Sequence, residues 1–323
     1  MKTLKLLGTS ALVAALAAPA FASGPEVGDS FTVTFNGRTG LDIYYIIDDD
    51  NTSNDDLYMS QNYTRFGFTA NGDTAMGAFK ARIEGDFGGT HSNFRIRHAY
   101  GEVGPILAGQ TDSLLRTGTP FVSDWGWTFG DNTSLGNNYG RTQQLRYTTS
   151  AIGVKLAVAL EDQATGVSNV GNNFFDITAN AQFSAGPASM VAVLGLQEDG
   201  DVVVGGAASF SLGIADAFVT ANYFDSNGGS GLGGIVDSAG DTGLGMGAGA
   251  YFPAGDNLSA FVGASVADSE KTNEDQFYAT GSLTWSPMPQ YSIIGQLHYI
   301  SNTDDAGVET ESLVLDNRWM YRF

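Results

Sequence analysis

The sequence predicts an all-β protein: a transmembrane antiparallel β-barrel of about 16 strands, with short periplasmic turns and longer external loops. Three observations support this fold class. Apolar and polar residues alternate along most of the 323 residues, the connections between alternating segments are short and long in turn, and the chain begins with an export signal.

The N-terminus predicts export. Lys2 and Lys5 precede an apolar run over residues 6–18, and Ala20-Phe21-Ala22 then supplies the small residues that signal peptidase requires. A membrane anchor is the alternative, but this run is short for a bilayer span. We therefore expect a cleaved Sec signal peptide over residues 1–22 and a single outer-membrane β-barrel domain over residues 23–323.

Alternation with a period of two is clearest in Gly77–Phe87, where Phe79, Ala81 and Ile83 alternate with charged residues. Successive side chains of a strand point to opposite faces, so each such segment has one apolar and one polar face. The first hairpin is predicted as strands over 62–70 and 77–87 around a turn at Asn71-Gly72-Asp73, after a loop over residues 48–61.

A closed barrel explains the strand length and the connections together. Ten residues at about 3.4 Å each, tilted by about 40°, span roughly 25 Å, which matches the apolar band of an outer membrane. A lipid-exposed sheet must also close, because its edge would leave backbone groups unpaired. A soluble sandwich or solenoid is the alternative, and it predicts strands of about five or six residues without a short/long rule.

Composition excludes several function classes. The formal charge of −20 argues against nucleic-acid binding. The absence of cysteine excludes thiol catalysis, cysteine-bound zinc and disulfides. The three histidines, His91, His98 and His298, form no recognisable Ser–His–acid constellation, so we expect no enzyme and no catalytic residues. The glycine-rich run over 243–250 has dinucleotide-type spacing but continues a strand, so it predicts no cofactor site.

The last segment alternates up to the C-terminus. Trp319, Tyr321 and Phe323 share one parity, and Arg318 and Arg322 share the other. This aromatic-rich ending resembles the assembly signal of Gram-negative outer-membrane barrels. The resemblance implies recognition by the barrel assembly machinery.

One block of the sequence carries a family resemblance. It consists of the runs TRFGFTA at 64–70, GAFKARIEGDF at 77–87, FRIRHAYGE at 94–102 and LAGQTDS at 107–113. The block resembles the Gram-negative porins, most closely the DcaP-like family, although that family usually has an aromatic residue where Asp112 stands. The resemblance implies a homotrimer of sixteen-stranded barrels, surrounded by outer-membrane lipid and lipopolysaccharide, that passes small hydrophilic solutes by diffusion.

The longest connection spans residues 112–140 and contains Asp112, Asp124 and Asp131. Such a long loop in a compact fold is usually functional or disordered. The resemblance implies that it is the third long loop, which folds into the lumen and forms an acidic constriction. An external flap over the mouth is the alternative.

Basic residues cluster between Arg38 and Lys155 and on the last strand. Those with lumen parity are Arg38, Arg65, Lys80, Arg82, Arg95, Arg97, Arg146, Lys155, Arg318 and Arg322. They predict a basic channel lining that favours anions. The alternative is that Glu84, Asp86, Glu102 and Asp316 pair these cations into neutral networks.

His98 shares parity with apolar residues. It lies either in the interfacial girdle near Tyr100 or after a bulge that shifts the strand register.

The sequence therefore predicts an outer-membrane porin, a passive diffusion channel for small hydrophilic solutes and ions with an anion preference. The alternative function is a surface adhesin or receptor with a plugged lumen. We expect no cofactor and no defined metal site. The acidic external loops are expected to be solvated, with loosely bound Ca²⁺ as the alternative.

Overall fold

The structure is a computed structural model, and it describes residues 31–48, 56–61, 64–87, 94–116, 141–162, 175–196, 200, 202–225, 242–269, 275–303 and 306–323. These residues form seventeen strands: β1 (Thr32–Asp48), β2 (Asp56–Ser60), β3 (Arg65–Thr74), β4 (Gly77–Asp86), β5 (Arg95–Val103), β6 (Ile106–Asp112), β7 (Arg141–Ala151), β8 (Val154–Asp162), β9 (Asp176–Ala185), β10 (Ala188–Leu196), β11 (Val202–Ser211), β12 (Asp216–Asp225), β13 (Thr242–Pro253), β14 (Leu258–Ser269), β15 (Asp275–Met288), β16 (Tyr291–Thr303) and β17 (Glu309–Arg322).

The strands form one closed antiparallel barrel. From β3 onward each strand pairs with the next, and β17 pairs back onto β1. On its other edge β1 pairs with β3 over residues 32–38 and with β2 over residues 42–46. Because β2 and β3 together occupy one position in the wall, the barrel has sixteen strands. The predicted fold class is confirmed.

The first loop is shorter than predicted. Residues 56–60, expected in a loop, form β2, and the Tyr58 ring stacks on Tyr44 of β1 with ring centroids 4.9 Å apart. Aromatic pairs across neighbouring strands stabilise a sheet. Residues 42–46 of β1 therefore pair with β2, a strand that lies inside the predicted loop.

The predicted turn at Asn71-Gly72-Asp73 is wrong. These residues pair with Lys80, Phe79 and Ala78, so β3 continues to Thr74 and the turn lies at residues 75–76. The Thr74 hydroxyl accepts a 3.2 Å hydrogen bond from the Met76 N–H and donates a 2.8 Å bond to the Gly77 carbonyl. Gly77 has φ of 116°, which glycine adopts readily. The turn therefore forms around Thr74 and Gly77, three residues beyond the Asn-Gly pair.

The other short turns lie at 104–105, 152–153, 186–187, 212–215, 254–257 and 289–290, all at one rim. The two ends of the described chain meet at the same rim, where Arg38 pairs with Arg322. The strand ends that lead to the remaining connections lie at the opposite, external rim. This arrangement gives the wall a periplasmic edge of tight turns.

The two faces of the wall differ as the alternation predicts. On β17, Leu315, Trp319 and Tyr321 are exposed on the outside, whereas Asp316 and Arg318 are buried on the inside. The described residues contain no helix long and apolar enough to cross a membrane. An apolar outer face and a polar inner face are typical of barrels that span the outer membrane.

Candidate functional site

Glu84 of β4 contacts three arginines on the inner wall. Arg82 Nη2 donates a 2.5 Å hydrogen bond to its Oε2, and Arg97 Nε donates a 3.0 Å bond to its Oε1. Arg65 Nε lies 3.7 Å from the same Oε1. Strands β3, β4 and β5 thus each contribute a cation to one carboxylate.

Asp86, two residues after Glu84 on β4, accepts hydrogen bonds from two arginines. Arg95 Nε donates a 2.6 Å hydrogen bond to Asp86 Oδ1, and Arg97 Nη1 donates to Oδ2 at 2.5 Å. Arg97 therefore links the two carboxylates. We call this group the arginine cluster; it consists of Arg65, Arg82, Arg95 and Arg97 with Glu84 and Asp86.

The guanidinium groups of the arginine cluster are more exposed to the lumen than its carboxylates. The carboxylate side chains of Glu84 and Asp86 are 5% and 1% exposed, whereas the four arginine side chains are between 14% and 54% exposed. Four guanidinium groups also outnumber two carboxylates. The two carboxylates lie deeper in the wall than the guanidinium groups, so the arginine cluster exposes more positive than negative groups to the lumen.

A β-bulge at Arg97 explains the position of His98. Glu84 pairs with His98 and Gly85 pairs with Ile96, so Arg97 has no opposing residue in the ladder. Both Arg97 and His98 then point inward. The buried His98 Nδ1 lies 3.0 Å from Thr111 Oγ1, and its Nε2 lies 3.9 Å from Glu84 Oε1. Of the two positions considered for His98, the structure shows the second: the residue follows a bulge and points inward.

Arg318 faces inward but does not reach the lumen surface. It is fully buried and its Nε donates to Asp42 Oδ1 at 2.5 Å, while Nη2 donates to Asp316 Oδ2 at 3.3 Å. Asp42 is also fully buried. These ion pairs join β1 to β17, so the charge of Arg318 is neutralised where the first and last strands close the barrel.

The remaining basic residues lie in two groups, the first of which forms a row with Arg65 of the arginine cluster. Arg65, Arg38 and Arg322 are in register on three adjacent strands, with Arg38 buried and Arg322 Nη1 3.5 Å from Ser292 Oγ. The row gives the inner wall three cationic positions on adjacent strands.

The second group comprises Lys80, Arg146 and Lys155. Lys80 Nζ lies 6.0 Å from the centroid of the Tyr100 ring, and Arg146 Nη2 donates a 2.8 Å bond to the Asp112 carbonyl. Lys155 is exposed beside the turn at 152–153. Only Arg146 of these three contacts the start of the long connection.

The long connection after β6 begins by turning inward. Asp112 Oδ1 accepts a 2.7 Å hydrogen bond from Arg116 Nη1 and lies 3.4 Å from Arg141 Nε. Ser113, Leu114 and Leu115 are then buried. Asp124 and Asp131 lie outside the described residues, so the structure places only the first acidic residue of the predicted constriction.

Residues 113–116, the inward segment, run along the inner wall. The Leu114 N–H donates a 2.9 Å bond to Glu161 Oε1 of β8, and Asn180 Nδ2 of β9 donates a 3.4 Å bond to the Leu114 carbonyl. The Leu115 side chain is fully buried against Val193 of β10 and Val203 of β11. The inward segment therefore crosses the inner faces of β8 to β11.

The sequence analysis missed Glu161 and the apolar inner wall. Glu161 accepts hydrogen bonds from the Thr142 and Thr178 hydroxyls at 3.1 and 2.7 Å as well as from Leu114. The usable signal was β10, whose sequence ASMVAVLGL has no polar face. A strand of a lipid-facing barrel that is apolar at both parities indicates that another segment covers its inner face.

The C-terminal aromatic residues lie on the outside of the closure. Trp319, Tyr321 and Phe323 are exposed, and the Phe323 ring lies 5.5 Å from that of Phe35. The Phe323 N–H and carbonyl each form a 3.0 Å backbone hydrogen bond with Gly37. These aromatic residues thus line the seam between the last and first strands.

Among the described residues no group of three or more histidines and carboxylates is arranged to hold a metal ion. The acidic stretch at residues 49–55, where calcium was considered, lies outside them. The absence of a cofactor stays a prediction.

A closed barrel with a polar inner wall and an inward-turning connection defines a channel of the bacterial outer membrane. The sequence matches the family model for Gram-negative porins over residues 8–305, and the chain belongs to that family. The chain is an outer-membrane porin, through which small hydrophilic solutes and ions diffuse passively. The family and fold are those of channels, and the predicted family, the predicted function as a passive channel and the predicted location are confirmed, whereas the anion preference stays a prediction.

Solved structures show the same fold at low sequence identity. The outer membrane channel DcaP of Acinetobacter baumannii has a TM-score of 0.76 at 18% identity, covering 92% of this chain and 98% of that chain. The anion-selective porin from Comamonas acidovorans has a TM-score of 0.67 at 16% identity, covering 91% and 100%. OmpT of Vibrio cholerae, in a trimer form, has a TM-score of 0.67 at 12% identity, covering 91% and 100%. No curated protein matches the sequence.

Proposed function

We propose that this porin favours anions over cations. The supporting observation is the arginine cluster, in which four partly exposed guanidinium groups cover two sunken carboxylates. Charges on a channel wall set ion selectivity, and a narrow, low-dielectric surrounding strengthens their field. The similar porin from Comamonas acidovorans is described as anion-selective, so this architecture is compatible with such a preference.

The residues that act in this proposal are the exposed members of the cluster. Arg95 and Arg82 are the most exposed, at 54% and 30% of their side chains. Their guanidinium groups attract an anion while Glu84 and Asp86 hold them in place. The buried Arg318 contributes little, because Asp42 and Asp316 compensate its charge.

We further propose that residues 112–140 form the constriction. The direction of the inward segment supports this, since Leu114 and Leu115 are held against β8 to β11 on the inner face. An external flap would instead leave β6 toward the solvent. In this proposal the constriction also includes Asp124 and Asp131, which lie outside the described residues.

We also propose a homotrimer. The similar OmpT of Vibrio cholerae was solved in a trimer form, and this chain shares its fold. Channel openings in groups of three steps and the mass of the detergent-solubilised particle would test the assembly.

The test of anion preference is the reversal potential of the porin in a planar bilayer under a KCl gradient. We expect the sign that chloride selectivity gives. The double variant Arg82→Gln/Arg95→Gln should shift the potential toward zero, whereas Lys155→Gln at the periplasmic turn should resemble the wild type. Cation selectivity of the wild type, or an unchanged potential in the double variant, would refute the proposal.

A further inference from the structure

The hydrogen-bond ladder between β5 and β6 ends before the two strands do. Its last pair toward the external rim is Ala99 with Gln110. β5 nevertheless extends to Arg95, and β6 extends to Asp112. In the described part of the chain, residues 95–98 of β5 have ladder pairs with β4 alone. Because a lipid-facing wall offers no water to backbone groups, those on the β6 side of this stretch need other partners.

The Gln110 side chain provides such partners from the outer face of the wall. Its Nε2 donates a 2.8 Å hydrogen bond to the Ile96 carbonyl and a 3.4 Å bond to the Arg97 carbonyl. Gln110 has outward parity on β6, where a polar side chain is costly unless it is hydrogen-bonded. The two bonds therefore explain a glutamine at a lipid-facing position, and they replace the missing ladder at the bulge.

The next residue of β6 holds the same bulge from the inner face. Successive side chains of a strand point to opposite faces, so Thr111 points inward where Gln110 points outward. Thr111 Oγ1 lies 3.0 Å from His98 Nδ1, and both side chains are buried. We call Gln110 and Thr111 the bulge clasp. Together they contact β5 at residues 96, 97 and 98.

Gly109 brings the bulge clasp close to β5. A Cβ atom at this position would lie 2.3 Å from the Ala99 carbonyl oxygen and 2.7 Å from the Tyr100 Cα. Gly109 also has φ of 126°, which glycine adopts readily. This close approach of the two backbones places Gln110 and Thr111 within hydrogen-bonding reach of the bulge.

The residue held by the bulge clasp is the link of the arginine cluster. Arg97 Nε donates a 3.0 Å hydrogen bond to Glu84, and its Nη1 donates to Asp86 at 2.5 Å. A β-bulge can re-aim the side chains of its strand, and this one directs both Arg97 and His98 inward. The position of the Arg97 guanidinium therefore depends on how firmly the bulge is held.

We propose that Gln110 is a positioning residue for ion selection. Through the carbonyls of Ile96 and Arg97 it holds the bulge, and the bulge holds the Arg97 guanidinium in the arginine cluster. Thr111 supports the same bulge from the inner face. The inference rests on the proposed anion preference, and it assigns part of that preference to an outward side chain that acts through Arg97.

The test is the reversal potential of the refolded full barrel in a planar bilayer under a KCl gradient. Gln110→Met keeps the length of the side chain and suits lipid, but it donates no hydrogen bond. We expect its potential to shift in the same direction as that of Arg97→Gln and by a smaller amount, because the guanidinium is still present but is no longer fixed. Gln143→Met is the matched control, since Gln143 lies opposite Gln110 on β7. It should behave as the wild type.

A double variant tests whether Gln110 acts through Arg97. Arg97→Gln/Gln110→Met should have the potential of Arg97→Gln alone, because a residue that positions Arg97 has no effect once Arg97 is lost. Thr111→Val keeps the shape of the side chain and removes the contact with His98. It should shift the potential in the same direction as Gln110→Met, and it tests the bulge clasp separately if Gln110→Met does not fold.

Hydrogen–deuterium exchange gives a readout that does not depend on the current. The peptide that spans residues 94–99 should exchange faster in Gln110→Met than in the wild type, and at the wild-type rate in Gln143→Met. Faster exchange together with an unchanged reversal potential would overturn the proposal, because the bulge clasp would then stabilise the wall without affecting ion selection.

Two further results would also overturn it. One is unchanged exchange in Gln110→Met, and the other is a double variant in which the two single shifts add. A cation-selective wild type would instead refute the proposed anion preference. Coupled shifts of Arg97→Gln and Gln110→Met in that protein would still support the positioning role of Gln110.

Discussion

The main-chain N–H of Leu114 donates a 2.9 Å hydrogen bond to Glu161 Oε1, and this contact joins the start of the longest connection to the inner face of β8. Glu161 is fully buried and also accepts from Thr142 and Thr178. One carboxylate thus fixes both the wall and the inward segment. This relationship is the basis for expecting that the connection narrows the pore.

Replacing Glu161 should loosen the inward segment. Glu161→Ala removes the acceptor of three hydrogen bonds, and bonds to a charged group contribute about 1.5–3 kcal/mol each. We expect a larger and noisier single-channel current, measured in planar bilayers. Glu161→Gln keeps one carbonyl acceptor and should lie between the wild type and alanine; currents identical to the wild type in both variants would contradict the anchoring role.

A cysteine pair can test the same contact in a chain that has no native cysteine. Leu114 packs against Ala159 of β8, so Leu114→Cys/Ala159→Cys should form a disulfide on oxidation. Because the segment already lies on the wall, cross-linking should leave conductance within the range of the reduced protein. Thiol titration and bilayer recording of the double variant and of each single variant would measure this. A pair that stays reduced would show that the segment lies elsewhere.

The buried charges at the seam should be important for stability. Arg318→Met leaves Asp42 and Asp316 buried without their cation, and removing one partner of such a group costs about 3–5 kcal/mol. Arg322→Met, in which the lost arginine is partly exposed, should cost less than about 1 kcal/mol. Urea unfolding followed by tryptophan fluorescence gives both values; similar midpoints for the two variants would be inconsistent with the role given to Arg318.

Closure of the barrel should be sensitive to Gly37. A Cβ atom there would lie 2.7 Å from Phe323 Cζ and 2.7 Å from the Arg65 carbonyl oxygen. Gly37→Ala should therefore destabilise the barrel by about 1–3 kcal/mol. Gly101→Ala is the control, since no atom lies within 4 Å of the added Cβ. The temperature at which the folded form disappears on a heat-modifiability gel should fall for Gly37→Ala alone.

The barrel could be predicted because its pattern has only one period. Segments such as 77–87 and 275–285 place every second residue on lipid, and the strands β4 and β15 begin at the predicted residues. Turn positions were less certain where several turn residues compete. The Asn71-Gly72-Asp73 run pairs in the ladder, because the Thr74 hydroxyl and Gly77 form the turn instead.

The roles of the inner-wall residues could be predicted only in part. Parity identifies inward arginines, but burial depends on neighbours: Arg95 remains half-exposed beside Asp86, whereas Arg318 is enclosed by Asp42 and Asp316. The bulge at Arg97 changes the parity of one strand, which a strict two-residue period does not show. Glu161 was missed because its role depends on a segment 47 residues earlier in the chain.

The most direct test of the account is the current through single barrels of the mature protein inserted in a planar bilayer. A water-filled diffusion channel predicts stepwise openings that stay open at low voltage, with conductance that rises with salt concentration. No conductance from barrels verified as folded by heat-modifiability would contradict a diffusion channel and would favour a surface structure with a plugged lumen.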